Sequence, residues 1–321
     1  MPDHTPTPTM RAISQDRPGG PDVLKVIETA RPVPGPTEIL VRVHAAGVNP
    51  TDWKTRARGA FAVGVRPPFT LGFDVSGVVE AVGPGVALFE PGDAVFGMPR
   101  FPHPAGAYAE YVTAPARHFA PRPDRLDHVH AAAVPLAALT AWQALVDTAD
   151  LRPGQRVLIH AAAGGVGHLA VQIAKSRGAY VIGTAREAKH AFLRDLGADE
   201  LIDYTREDFA DAVRDVDVVL DAIGGAYWSR SLRTLRPGGT LLSILPLDET
   251  FPAAEAESAG VRAVFVMVEP DHAGLRAISA LIDSGQLRAE VDAVLPLEEA
   301  AKAHALGETG RTTGKIVLSV A

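Results

Sequence analysis

The 321-residue chain contains no cysteine. That absence excludes disulfide frameworks, thiol nucleophiles, iron–sulfur clusters and any zinc site built on thiolates. Aromatic residues are scarce, at 6%, which leaves little material for base-stacking platforms. Positive charge is in deficit. The 31 Lys and Arg against 38 Asp and Glu leave a formal net charge of -7, the wrong sign for a dedicated nucleic-acid binder. No run approaches the ~20 apolar residues that cross a bilayer, so no membrane partner is expected. The opening MPDHTPTPTM lacks the basic and apolar regions of a secretory signal. Its alternating Thr and Pro predict a disordered extension over 1–9, with Met10 as a candidate start and the cytoplasm as the default location.

What is present is ordinary globular composition, 47% hydrophobic and 21% charged, in a length that implies about two domains. From residue 10 to about 137, short apolar runs such as Ile39–His44, Val75–Val82, Ala94–Phe96 and Tyr108–Val112 alternate with Gly and Pro breaks. That pattern predicts a β-barrel or sandwich, with Glu90–Asp93 as a turn carrying Pro at its second position and Gly at its third. From 138 to 268 strand and helix patterns alternate. Arg156–His160, Tyr180–Thr184, Glu200–Asp203, Asp217–Asp221, Thr240–Leu245 and Arg262–Val268 read as buried parallel strands. Val166, Leu169, Ala170, Ile173 and Ala174 form one helical stripe, stopped by Gly178. Together these predict an α/β, doubly wound parallel sheet. The tail from 269 to 321 reads as one helix, Ala273–Ser284, followed by strand and turn. It closes in a strand, Lys315–Val320, which is expected to rejoin the first domain.

The strand at 156–160 runs into Ala161-Ala162-Ala163-Gly164-Gly165-Val166-Gly167 and on into the helix. Strand, glycine-rich turn and helix in that order are the setting of a dinucleotide fingerprint. Gly164 lets the backbone approach a pyrophosphate, Gly167 allows close helix–strand packing, and the N–H groups at the helix start bind the phosphates. Ala162 stands at the place of the first glycine. An NAD-selective strand would end in an acid about 20 residues further on. Here Val181–Arg186 has Ala185 at that place, followed by Arg186 and, a turn later, Lys189. The missing carboxylate and the two cations point to NADPH as cofactor.

Ala46–Lys54 (AGVNPTDWK), Pro68–Gly83 (PFTLGFDVSGVVEAVG), Gly92–Val95, Gly106–Tyr111, the loop at 161–167, Ile202–Tyr204 and Gly314–Val317 together resemble the medium-chain dehydrogenase/reductase superfamily. Within it the chain looks like the zinc-independent quinone oxidoreductase branch, over residues 10–321 in unbroken order. The resemblance implies a GroES-like β-barrel catalytic domain over 10–137 and 269–321, and a Rossmann-type NADPH-binding domain over 138–268. Zinc enzymes of the superfamily carry ligands where this chain has Asn49, Phe73 and, nearby, Leu136. Phe and Leu cannot ligate zinc, so no metal is expected. Without a Lewis acid, alcohol oxidation is disfavoured and reduction of an electrophilic acceptor remains.

On this resemblance Asn49 and Lys54 face the nicotinamide. Asn49 holds the cofactor or donates to the substrate oxygen, and Lys54 donates a hydrogen bond or proton. Asp52 orients Lys54 or a backbone turn, and Asp74 is a structural hydrogen-bonding acid. Thr140, read as the start of a helix over 140–147, is either a nicotinamide neighbour or an N-cap. Tyr204 stands near the 2′-phosphate or the adenine. Thr184, Leu245, Val268 and Lys315 complete the expected cofactor contacts with Ala163–Gly167, although apolar strand ends are usually core and Lys315 equally fits a solvated turn. His160 reads as a satisfied interior histidine. The expected function is NADPH-dependent hydride transfer to a quinone or an α,β-unsaturated carbonyl compound. The alternatives are an enoyl-thioester reductase and a non-enzymatic NADPH-binding sensor or structural protein. The apolar run Arg262–Val268 ends the strand order, where an exposed edge must be paired. Relatives pair it about a two-fold axis, so a homodimer is expected.

Overall fold

The computed structural model describes residues 8–59 and 66–321; residues 1–7 of the expected extension lie outside them. The chain divides into two compact units, one of Met1–Leu136 with Glu269–Asp283 and Ala289–Ala321, the other of Ala137–Val268 with Ser284–Arg288.

The first unit opens with β1 (Thr9–Gln15), β2 (Lys25–Ala30), β3 (Glu38–Val48), α1 (Pro50–Arg58), β4 (Phe69–Thr70), β5 (Asp74–Val82), β6 (Ala94–Gly97), β7 (Tyr111–Pro115) and β8 (Phe119–Pro121). The first strand begins at Thr9, one residue earlier than the sequence pattern suggests, and pairs with Ala30. The long β3 is the hub, pairing antiparallel with both β5 and β7 and carrying two register shifts. Those irregularities bend the strand so that it serves more than one neighbour. The turn at Glu90–Asp93 forms as expected, with Gly92 at φ 101° and the Asp93 N–H donating to Glu90 O at 3.1 Å. Ile13, Val41, Val43, Val75, Val95, Phe119 and Leu318 share one buried cluster.

After α2 (His128–Ala132) and α3 (Pro135–Trp142) the second unit runs β9 (Arg156–Ile159), α4 (Gly167–Ser176), β10 (Tyr180–Thr184), α5 (His190–Asp195), β11 (Glu200–Ile202), α6 (Phe209–Ala212), β12 (Val216–Asp221), α7 (Tyr227–Leu232), β13 (Leu235–Ser243), α8 (Ala253–Ser258) and β14 (Arg262–Phe265). All six strands are parallel, in the order β11-β10-β9-β12-β13-β14. This is the doubly wound sheet, and its order reverses between β9 and β12, where such folds take their ligand. Leu158, Ile182, Val219 and Leu241 fill its core. Gly178, at φ 78°, ends the α4 segment as its position implied.

Two details depart from the sequence reading. Thr140 lies inside α3, not at a helix start, so it is not an N-cap. The tail holds two helices rather than one: α9 (His272–Asp283), then β15 (Val291–Pro296), α10 (Ala300–Glu308) and β16 (Lys315–Ser319). The closing strand rejoins the first unit's sheet as expected, antiparallel to β3 and parallel to β15. Among the described residues no helix is long and apolar enough to cross a membrane.

Candidate active site

Strand register assembles a polar knot in the first unit. The β3–β5 register pairs Gly47 with Asp74, and the β16–β3 register pairs Ile316 with Val48, so Lys315 arrives beside Asn49. Gly47 is obligatory there, because a Cβ would stand 2.3 Å from Ala132 O and 2.9 Å from the Asp74 side chain. Asn49, Asp74 and Lys315 are 1%, 0% and 3% exposed. The Lys315 ammonium donates to Asn49 Oδ1 and, at 3.3 Å, to Asp74 Oδ2. Asn49 Nδ2 donates to the same carboxylate oxygen at 2.8 Å, and the Leu136 N–H donates to Asp74 Oδ1 at 2.7 Å. Burial pushes the Asp74 carboxyl up, against the pull of Lys315, Asn49 and the Leu136 N–H. The charges are compensated inside the protein, as a buried ion pair requires.

This placement changes the reading of two residues. Lys315 is not in a solvated turn; it is buried, with its charge directed at Asp74. Asn49 places its carboxamide oxygen and one amide N–H inside the knot, against Lys315 and Asp74. Asp74 is the structural acid that the sequence suggested. Asp52 proves to be a helix cap: at the third position of α1 its Oδ2 accepts the Asn49 N–H at 2.7 Å. Lys54 stands exposed on α1, and desolvation by the surrounding protein, then Arg58 a turn later, pull its ammonium below the ordinary lysine value.

The positions where the superfamily's zinc enzymes carry ligands do not fit a metal here. Phe73 is buried edge-on against Phe101, with ring centroids 5.1 Å apart, Leu136 offers a backbone N–H, and Asn49 is committed to Lys315 and Asp74.

The second unit carries the glycine turn. A Cβ on Gly167 would fall 2.3 Å from Ala161 O and 2.7 Å from Ala162 Cα, so the close packing expected of this glycine is real. Ala163, Gly164, Gly165 and Val166 form the turn into α4, whose start has no side-chain cap and whose His168 N–H donates to Gly164 O at 3.1 Å. The left-handed position of the turn falls on Ala161, at φ 50°, and not on Ala162. A helix start with this cradle fits an anionic pyrophosphate. Thr184 is buried, its hydroxyl 3.2 Å from His160 Nδ1. His160 is the satisfied interior histidine expected, with Ser231 Oγ 3.0 Å from its other nitrogen.

At the end of β10, Ala185 is buried and Arg186 exposed. Arg186 Nε donates to the Tyr204 hydroxyl at 3.2 Å, which brings together two residues nominated separately from the sequence. Lys189 is half-buried in the turn that follows. Glu187 forms an ion pair with Arg206 at 2.9 Å, so its charge is not directed at Arg186 alone. Leu245 lies past the end of β13, beside the Gly224 turn, and Val268 lies past the end of β14 and is buried. Sequence reasoning missed the grouping of Arg56, on α1, with Tyr108 and His304. Nothing local marks them, because His304 meets the other two across 196 and 248 residues of sequence.

Comparison with known proteins matches residues 35–124 to the alcohol dehydrogenase GroES-like domain and 196–318 to the zinc-binding dehydrogenase family. A barrel of the first kind with a doubly wound sheet defines an oxidoreductase of the medium-chain dehydrogenase/reductase superfamily, whose members bind a nicotinamide cofactor. Human quinone oxidoreductase is 32% identical over 96% of this chain and 97% of its own. The 2-haloacrylate reductase of a Burkholderia species is 37% identical over 94% and 96%. The quinone oxidoreductase structure from Coxiella burnetii superposes with a TM-score of 0.90 at 39% identity, covering 98% of this chain and 100% of that one. A mycobacterial protein solved in complex with NADPH superposes with a TM-score of 0.85 at 32% identity, covering 97% and 100%. The chain therefore belongs to the quinone oxidoreductase branch of the superfamily.

Proposed function

We propose that this oxidoreductase uses NADPH to reduce quinones or α,β-unsaturated carbonyl compounds, without a metal ion. The observation that carries the cofactor choice is the end of β10, where Ala185 replaces the acid and Arg186 stands against Tyr204. A carboxylate there would accept from a ribose 2′-hydroxyl, whereas a guanidinium favours a 2′-phosphate. Arg186, Lys189 and Tyr204 would hold that phosphate, and Ala163–Gly167 the pyrophosphate. The bound cofactor supplies the hydride. Support for the acceptor class comes from the named relatives: a quinone and a 2-haloacrylate are both conjugated acceptors, which spread incoming charge onto oxygen.

The chain's own residues then have distinct tasks. Asn49, Asp74 and Lys315 fix the end of β3 and the start of α1. Lys54, on that helix, offers an ammonium donor whose lowered pKa brings proton donation nearer to neutral pH. Thr140, Thr184, Leu245 and Val268 remain proposed cofactor neighbours. The working form is proposed to be a homodimer joined through β14.

Oxidation of NADPH followed at 340 nm tests this reading, with 1,4-benzoquinone, 9,10-phenanthrenequinone, an alkyl enone and a trans-2-enoyl thioester as acceptors. Turnover of a quinone or the enone, unchanged by a chelator, is expected. Turnover of the thioester alone would move the substrate class, and loss of activity with chelator would overturn the metal-free chemistry.

A further inference from the structure

In the glycine turn of the second unit, both polar backbone groups of Gly164 are bonded inward, and His168 supplies most of that hold. The Gly164 N–H donates to Ala161 O at 2.9 Å. Its carbonyl oxygen accepts twice, from the His168 N–H at 3.1 Å and from the His168 ring nitrogen Nδ1 at 2.8 Å. A carbonyl oxygen can only accept, so Nδ1 must carry a proton, and the two bonds use both lone pairs of that oxygen. The imidazole is 0% exposed. It lies at 34° to the Phe192 ring with centroids 6.5 Å apart, so packing as well as hydrogen bonding sets its orientation.

Gln172, four residues further along the same face of α4, fixes the helix that carries this ring. Its amide nitrogen donates to His168 O and to Arg288 O, both at 2.9 Å, and its Oε1 accepts the Arg288 N–H at 2.9 Å. The carboxamide is 5% exposed and bonds to the main chain as a neighbouring strand would. Arg288 closes the short segment Ser284–Arg288, which belongs to the second unit. An unbroken run of hydrogen bonds therefore leads from Arg288 through Gln172 and His168 to Gly164.

The direction of the Gly164 carbonyl decides the direction of its neighbour. A peptide is planar and trans, so the Gly165 N–H points opposite to the Gly164 oxygen. With that oxygen held over the start of α4, the N–H is turned out of the helix, as an anion at this turn requires. Glycine on both sides would let the peptide turn over at little steric cost. A flipped peptide would set a carbonyl oxygen, not a donor, against the phosphate. We propose that His168 is a positioning residue for the nucleotide: its Nδ1–H holds the Gly164–Gly165 peptide in the orientation that presents the Gly165 N–H to the pyrophosphate. This role rests on the nucleotide reading of the turn given above, whereas the bond from His168 to Gly164 does not.

Fluorescence titration of the full-length protein with NADPH and with NADH, in the wild type, His168→Phe and His168→Asn, tests the role. Phenylalanine keeps the ring and loses the donor. Asparagine gives up the ring but places an amide nitrogen as many bonds from Cα as Nδ1. His168→Phe is expected to weaken both nucleotides about tenfold, the worth of one hydrogen bond, because they share the pyrophosphate. His168→Asn should stay within about threefold of the wild type. A role in packing alone gives the reverse order, so an asparagine variant that binds worse than the phenylalanine variant overturns the proposal. A phenylalanine variant with wild-type affinity, or one weakened for NADPH alone, overturns it too. If His168→Phe does not fold, His168→Asn decides, and a loss of about tenfold there counts against the role. Imidazole nitrogen NMR of the nucleotide-free wild type should find a proton on His168 Nδ1, and an unprotonated Nδ1 overturns the bond itself. A wild type that binds neither nucleotide, with Nδ1 protonated, contradicts the cofactor reading and the role built on it, and leaves the bond standing.

Discussion

On the proposed function, Arg186 is the residue on which cofactor choice turns. Its guanidinium is exposed and its Nε donates to the Tyr204 hydroxyl, a neutral group, so further donors are left for a phosphate. Arg186→Ala should weaken NADPH binding by about tenfold, the worth of one charge-assisted hydrogen bond, and leave NADH binding unchanged. Fluorescence titration with both nucleotides measures this, and equal losses for the two would contradict the 2′-phosphate assignment. Legibility at this scale depended on whether a residue's partner was near in sequence. Ala185, Arg186 and Gly167 were readable because a strand–turn–helix fixes their places. Lys315 was not, because its burial follows from a strand register with β3 that joins it to Asn49 across 266 residues. Ala161 carries a left-handed φ without being glycine, and only the backbone reveals that the turn bends there rather than at Ala162.

Among the elements, β14 is an edge strand with apolar residues left partly open. It pairs with β13 on one side and ends the sheet. Ala263, Val264 and Phe265 are only half-buried, and Met267 beyond it is 47% exposed. An apolar edge of this kind invites a second strand, and a two-fold pairing of identical edges closes without further growth. Light scattering should therefore give about 68 kDa, twice the 33.8 kDa chain, and Val264→Lys should give the monomer. A monomeric wild type would contradict the pairing. The six parallel strands could be read from their continuous apolar runs, and α4 from its stripe and terminal glycine. The helices α1, α2 and α10 were not. Asn49-Pro50-Thr51-Asp52 does hold the signal for α1, a cap with Pro at the first helical position and an acid at the third. The α10 segment is rich in alanine, with no strong apolar stripe to set against the strands around it. It also packs through Gly307 on Trp53, where a Cβ would lie 2.6 Å from the indole, a closeness that no local pattern encodes.

The whole molecule joins two units of different grammar. On the proposed function, the doubly wound unit offers a glycine turn and a cationic strand end for the nucleotide. The barrel unit offers Lys54 on a helix whose first turn is pinned by two buried carboxylates, one bonded to Asn49 and Lys315 and the other to the Asn49 N–H. Fold and family were legible because their signals repeat along the chain. The inner polar network was not, because it is made of single residues brought together by tertiary structure. The central claim is hydride transfer to a conjugated acceptor, and isotope transfer tests it most directly. With NADPH deuterated at the transferable position of C4 and an alkyl enone as acceptor, mass spectrometry and NMR should find one deuterium on the β-carbon of the saturated ketone. A saturated ketone without deuterium at that carbon, whichever C4 position is labelled, would contradict the account.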